Sequence, residues 1–524
     1  MKNNFLLFIC NFLFVSSVLA QKTYVPDDNF EQKLISFGYD SGPLDDSVLT
    51  ANISGIFYVD VSSSNIQDLT GIEDFAIMTT LDCSNNDLTS FDISNNTTLE
   101  KLRCHGNELN SLDITSNIML KELQCGNNNL TTLDLSSNAL LENLYCTYNQ
   151  FTQLDITNNS AITAIHCGNN QLVDIDVTGL LNLTLFNCEI NQLATIDVST
   201  NSGLKYFGCF ENQFTNLDVT NNLQLKNLSC FDNQITSLDL TNNTLLNHLG
   251  CHKNQIANLD LQNNTLLESI WANDNILTEL DLTTNTLLEE LRCYNNNILE
   301  LDLSTNVKLE ILSCSDNQIN NLNISNCGNL EFLGTNNNAL TSLDLVNNTN
   351  LISLECSHNQ IAELDISNNT EVLYLGCTNN ELIRLNAANT NNTNFIGFTA
   401  DSNADLTCIL VDNFIYSTTF WNTLGYSIDS HAEYSENCYW VGVSELSDTD
   451  DIEIYPNPTT HSVHVNTTSE VEYSIYHISG QKLLQSGLLK PGNSIDVSPL
   501  NSGLFLLKLN TENGDSMVKT FVKH

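Results

Sequence analysis

Leu99 to Met119 reads LEKLRCHGNELNSLDITSNIM, and the same skeleton returns every 21 residues: L-x-x-L-x-C-x-x-N-x-L-x-x-L-D-(I/L/V)-(S/T)-x-N. The asparagine at Asn107 recurs at Asn86, Asn128, Asn149, Asn170, Asn191, Asn212, Asn233, Asn254, Asn275, Asn296, Asn317, Asn338, Asn359 and Asn380, with no insertion. The cysteine at Cys104 recurs from Cys83 to Cys377, replaced only by Ala272 and Thr335. A strict period of this length is the mark of a solenoid, whose turns bury their apolar edges only by stacking on one another.

Each repeat reads as two extended segments and two bends. Leu102 and Cys104 lie two apart and face the core, while Lys101, Arg103 and His105 face out. Asn107 sits at the first bend, where its side chain satisfies backbone groups that a tight turn leaves unpaired, and stacked asparagines bond along the ladder. Leu112 and Ile114 form a second inward pair, flanked by outward Ser111, Asp113 and Thr115; Asn117 makes the second bend. No segment of the repeat carries a helical period. Strands about 4.8 Å apart make the strict rungs roughly 70 Å long.

Composition narrows the partners. There are 62 acidic and 17 basic residues, a formal net charge of −45. Such a surface repels nucleic acid and anionic membranes and attracts cations or basic partners. The regular apolar grid separates the chain from disordered acidic sequences. Residues 1–20 read as a secretory signal: Lys2, an apolar run from Phe5 to Val15, and Val18-Leu19-Ala20 before Gln21. No later stretch has the roughly 20 apolar residues of a membrane span.

Outside the grid, residues 21–58 read as an N-terminal cap with one short amphipathic helix, in which Pro26-Asp27-Asp28-Asn29 precedes the apolar residues Phe30, Leu34, Ile35 and Phe37. Repeats occupy 59–405. In the last rung the grid places Ile396 and Phe398 at the leucine and cysteine points, with Asp401 in place of asparagine. Residues 406–440 are aromatic-rich and read as a C-terminal cap closed by a disulfide between Cys408 and Cys438. An acidic linker spans 441–451. Residues 452–524 carry short β-like runs separated by Gly, Pro and Asn turns, as in a small β-sandwich.

Two resemblances follow from these motifs. L-x-x-L-x-C-x-x-N-x-L is similar to the leucine-rich repeat, and the 21-residue unit with cysteine for one leucine resembles the internalin-type repeats of bacterial surface proteins. That resemblance implies an α/β-type leucine-rich-repeat solenoid, a horseshoe rich in β structure with few helices and a parallel sheet on its concave side. The second lies in Tyr455-Pro456-Asn457-Pro458, Ile475-Tyr476-His477-Ile478-Ser479-Gly480, Ser502-Gly503-Leu504-Phe505-Leu506-Leu507-Lys508 and Lys519-Thr520-Phe521-Val522-Lys523. These resemble the C-terminal sorting domain of the type IX secretion system. They imply that system's machinery as a partner, passage through the outer membrane, and a secreted or surface location.

Three features bear on chemistry. The cysteine ladder reads as core packing, because free cysteine behaves as a small hydrophobe and adjacent rungs are spaced too widely for an ordinary disulfide. The aspartate ladder, Asp92 to Asp302 and then Asp344 and Asp365 with Asn323 and Asn386 in the gaps, has two readings: local hydrogen bonding to backbone and Ser/Thr groups, or Ca²⁺ binding. The outward strand positions do not repeat. In the middle rungs they gather Tyr206, Phe210, Phe231, His248, His252, Trp271, Arg292 and Tyr294, with Gly208 and Gly250 leaving space beside them. Contiguous exposed aromatics mark a binding surface; the competing reading is stacking that stabilises the sheet. No G-x-S-x-G, H-E-x-x-H or phosphate-binding glycine loop is present, and no metal site is assigned. The leading expectation is a non-enzymatic protein or glycan binder using its concave face. The alternative is a structural, cation-stabilised surface or matrix protein using the aspartate ladder.

Overall fold

The computed structural model describes residues 20–421, 426–438, 454–466, 470–477, 483–510 and 516–524. The signal reading, apart from Ala20, and the linker 441–451 lie outside them. The chain divides into two compact units, Met1–Glu436 and Asn437–His524.

The first unit is a right-through stack of rungs. Each contributes a three-residue strand, and the strands pair in parallel and in chain order, seventeen in all from Tyr58–Asp60 to Gly397–Thr399. Among the described residues no pairing links the first of these strands to the last, so the sheet is not closed on itself; beyond its pairing with the preceding rung, the last strand bridges through Thr399 to Ser427 of the C-terminal cap. Registers hold leucine on leucine, as in Leu81↔Leu102 and Leu228↔Leu249. The middle residue of each strand is buried while its neighbours face away from the core. One continuous core runs from Val25 to Tyr434. Burying one leucine or isoleucine in it contributes about 1.5–3 kcal/mol.

Two asparagine ladders hold the bends, the first buried or partly buried and the second fully buried. Asn107 Nδ2 donates to the carbonyls of Cys104 in its own rung (3.1 Å) and Cys83 in the rung before (3.0 Å), and Oδ1 accepts the Leu88 N–H (3.0 Å). The same three bonds recur at Asn128 and Asn254. The ladder bonds therefore run from side chain to backbone, and the amides do not bond one another as the sequence suggested. The residue before each ladder asparagine lies in the left-handed region, from Asn85 (φ 54°) to Asn379 (φ 54°). That geometry favours Asn, Asp and Gly, which fill most of these positions. In the second ladder Asn117 Nδ2 donates to the carbonyls of Ile93 (3.0 Å) and Asn96 (2.9 Å). Cys327 takes this place in its rung, with Sγ 3.4 Å from the Leu303 carbonyl oxygen.

The last rung corrects the grid. Phe398 pairs with Leu375, so it occupies the leucine position; Ile396 is exposed. Ala400 is buried after it, and Asn403 provides the ladder asparagine, donating to the carbonyls of Cys377 and Ala400 and accepting the Leu382 N–H. This rung is 23 residues long rather than 21. An insertion of two leaves the in–out alternation intact, so a misplaced register looks right in sequence.

Both ends are closed. Helix Asp28–Ser36 starts at Asp27, whose Oδ1 accepts the N–H of Asn29 and Phe30 while Oδ2 accepts those of Gln67 and Asp68 in the first rung. At the far end Trp421 is fully buried, with its ring centroid 4.6 Å from Phe398 and 5.4 Å from Phe395. Strands Cys408–Leu410 and Glu433–Ser435 extend a side sheet that begins at Glu363–Asp365. Cys408 and Cys438 are disulfide-bonded.

The second unit holds a three-stranded antiparallel sheet (Ile454–Tyr455, Ser462–Val465, Ser494–Asp496) and a four-stranded one (Leu483–Leu489, Val471–His477, Gly503–Asn510, Ser516–Lys523). Val463, Ile495, Ile475, Leu507 and Phe521 from both sheets share one core.

Candidate binding face

The inward chemistry is inert. The ladder thiols from Cys83 to Cys377, and Cys327, are reduced and buried. Burial pushes those of Cys125, Cys251, Cys314 and Cys356 up to about 12 and that of Cys327 up to about 11. A thiol that does not ionise is neither nucleophile nor metal ligand.

The aspartate ladder bonds within its own rung. Asp113 Oδ1 accepts the Thr115 N–H (3.0 Å) and hydroxyl (2.7 Å), and the pattern repeats at Asp155, Asp218 and Asp281. These bonds hold the carboxyls below the ordinary aspartate range. Asn323 fills the position equally well, accepting from Ser325 and donating to Asp302 (3.0 Å). A depression of about 540 Å³ on this side is lined by Asp260, Gln262, Glu279, Asp281, Glu300 and Asp302. Among the described residues, Asp28, Glu31 and Asp46 at the N-terminal cap are the group of three carboxylates close enough to share one ion. Glu31 is already occupied there, accepting the N–H groups of Asp45, Asp46 and Ser47.

The sheet face is where the repeat gives way to variety. Phe210, Phe231 and His252 each follow a ladder cysteine in successive rungs. Their rings stack face to face, with centroids 4.2 Å apart at 10° and 4.2 Å apart at 11°. Trp271 continues the group, 6.1 Å from His252 and edge-on to His248 at 5.2 Å; the Arg292 guanidinium lies 5.0 Å over the indole. Arg292 Nε also donates to Glu290 Oε1 at 2.6 Å. Burial lowers the pKa of both His248 and His252, which keeps the stack uncharged near neutrality. Trp271 Nε1 and His252 Nδ1 are buried without a hydrogen-bond partner.

Six of the eight residues singled out in sequence thus form one group. Tyr206 and Tyr294 stand apart: Asn227 separates Tyr206 from His248 in its column, Asn273 separates His252 from Tyr294, and neither tyrosine makes a ring contact among the described residues. Because the rings stack along the solenoid, they show edges rather than open faces to solvent. The space beside Gly208 is also smaller than the sequence suggested, since Asn187 Oδ1 lies where a Cβ would go.

Sequence reasoning passed over a second group in the three rungs before that of Phe210. His166 stacks on Tyr145 (4.8 Å, 16°), and its Nδ1 is 3.2 Å from Asn187 Nδ2. Glu189 occupies the position that Phe210 holds in the next rung. In sequence it is a single polar residue between Gly168 and Phe210 in this outward column, which sets no pattern.

The comparisons agree with the geometry. The family model of the secretion system C-terminal sorting domain matches residues 453–524. The functional domain of InlJ from Listeria monocytogenes, described as including a cysteine ladder, is similar at 25% identity over 96% of this chain and 99% of that one, with a TM-score of 0.56. YopM, a leucine-rich effector protein from Yersinia pestis, is similar at 25% identity over 60% of this chain and 86% of that one, TM-score 0.50. A leucine-rich-repeat protein of Leptospira interrogans shares the fold at 22% identity over 60% and 81%, TM-score 0.51. No curated protein matches the chain in sequence. The chain is a leucine-rich-repeat-like solenoid with buried, stacked cysteines, followed by a secretion sorting domain, and it is exported, secreted or held at the cell surface. Among the described residues no helix is long and apolar enough to cross a membrane.

Proposed function

We propose that this is a non-enzymatic binding protein, delivered through the type IX route, that engages a protein or glycan on its sheet face, the concave side of a solenoid of this kind. The observation that carries the reading is the contiguous group Phe210, Phe231, His252, Trp271, His248 and Arg292, on a face whose residues the buried ladders do not need. Trp and Arg are also the side chains richest in binding hot spots.

A glycan and protein array probed with the purified protein identifies the ligand. The Trp271→Ala/Phe231→Ala double variant then loses about 2 kcal/mol or more of binding. Lys101→Ala, whose amine pairs with Glu122 at 3.4 Å in an early rung, leaves affinity unchanged. Equal binding by the double variant and wild type removes this face as the site.

The acidic depression at Asp260, Asp281 and Asp302 favours the cation-stabilised reading as the runner-up. One oxygen of each ladder aspartate is already engaged locally, so chelation leaves the melting temperature nearly unchanged. One saturated ion per site, at 100 times its dissociation constant, adds about 2.7 kcal/mol, so collapse in chelator reverses the order of the two readings. Removing residues 452–524 abolishes surface delivery and leaves the solenoid's melting intact.

A further inference from the structure

Glu189 is the exception on the sheet face. It is the carboxylate inserted in the column that otherwise carries the aromatic stack. Its side chain leans back over Gly168, where any Cβ would run into the carboxyl group. It therefore lies toward the preceding rung and away from Phe210. Oε2 is buried with no hydrogen-bond partner, and among the described residues no lysine or arginine forms an ion pair with Glu189. Burial raises the carboxyl's pKa, opposed by a hydrogen bond from its own backbone N–H and by no neighbouring cation. The next residue, Ile190, is β-branched and sits at φ 54°, the costliest kind of residue for the left-handed region. Neither feature helps the rung: Asp401, the carboxylate at the same point of the last rung, accepts the hydroxyls of Thr378 and Ser427, whereas Glu189 Oε2 has no partner, and Asn, Asp or Gly suits the strained position better. Backbone strain beside a buried oxygen left without a partner marks a site kept for something outside the chain.

We propose that Glu189 and Phe210 form a pocket for a lysine or arginine side chain from a basic protein segment. The cation pairs with the orphan oxygen of Glu189 and lies against the face of Phe210 that Phe231 does not cover. The −45 net charge draws such a segment to the surface, and the pocket gives it register. This rests on the sheet face being the binding face, and it names the partner as a basic protein rather than a glycan.

The test uses fluorescence anisotropy of a labelled ten-residue oligolysine at physiological salt, with the purified full chain. Glu189→Gln keeps the side chain's size and should weaken binding about tenfold or more. Glu268→Gln, which removes the same charge from an exposed site, should change it less than about twofold. Thermal melting of each variant checks folding, and Phe210→Leu provides a second probe of the same pocket with an expected loss of several-fold. Equal weakening by Glu189→Gln and Glu268→Gln would mean diffuse charge attraction and overturns the proposal. So does a glycan ligand whose affinity Glu189→Gln leaves unchanged. If Glu189→Gln loses oligolysine while Trp271→Ala/Phe231→Ala retains it, the pocket stands and the aromatic group fails as the centre of the site.

Discussion

Alternate residues of the same short strands build two regions that follow opposite rules. In Ser269–Trp271, Ile270 points into a core that repeats from rung to rung, and Trp271 points to a face that does not. The difference lies in where each residue's partner is. Asn128 bonds the backbone of its own rung and the one before, so every rung must supply the same group for the next. Trp271 touches His248, His252 and Arg292, none of which is repeated at the same point of the adjoining rungs. Repetition is enforced where the partner is a copy of the rung itself, and it lapses where the partner lies elsewhere.

The aspartate ladder sharpens this, because it repeats like the asparagines but is exposed and bonds mainly within its own rung, with side-chain bonds from a neighbouring rung only at Asp281, Asp302 and Asp365 among the described residues. Asn128→Ala should destabilise by about 3 kcal/mol, since it strands the buried Leu109 N–H and removes bonds to two carbonyls. Asp134→Ala should sit within the small range of ordinary surface substitutions, although its Oδ1 accepts the Ser136 N–H at 2.9 Å. Equal losses in urea melts would mean that periodicity alone, and not burial, sets the weight of a ladder.

Acid provides the next largest effect. The carboxyls of Asp113, Asp134 and Asp155 are held low by hydrogen bonds from Thr115, Ser136 and Thr157. A folded pKa below the unfolded value of about 3.9 contributes stability that is present above that value and lost as pH falls through the folded one. The wild type should therefore lose melting temperature as pH drops from about 5 to about 3. The triple Asp→Asn variant at 113, 134 and 155 should lose less over the same window, because the amide at Asn323 shows that it accepts the same bonds. Superimposable pH profiles would remove these bonds from the account.

The smallest effect is a gain. Ile190→Asn relieves a left-handed β-branched residue and should add about 1 kcal/mol of stability. A loss would show that the isoleucine side chain contributes packing that outweighs its backbone strain.

The solenoid was legible because its constraint is internal: the spacing of Leu102, Cys104 and Asn107 is dictated by a neighbour with the same sequence. The insertion that moves the last ladder asparagine to Asn403 was hidden, since two extra residues preserve alternation. The left-handed bend was readable in the run of Asn, Asp and Gly before most ladder asparagines, but only as a bias interrupted by Tyr148, Ile190, Glu211, Lys253 and His358. On the sheet face, composition located the aromatic residues, while the stacking that hides the faces of Phe231 depends on side-chain angles that no spacing encodes. Glu189 gave no pattern at all, because an orphan oxygen is a property of its surroundings.

The most direct test puts Trp271→Ala beside Asn275→Ala, two changes four residues apart in one rung, and measures both urea stability and affinity for the ligand the array identifies. Asn275 Oδ1 accepts the buried Ile256 N–H, and Nδ2 donates to the carbonyls of Cys251 and Ala272. Asn275→Ala should lose about 3 kcal/mol of stability with affinity intact in the folded protein. Trp271→Ala should raise Kd about 30-fold or more while stability falls far less. A Trp271→Ala protein that binds like wild type and unfolds as early as Asn275→Ala would make the aromatic face part of the scaffold, and the binding account would be wrong.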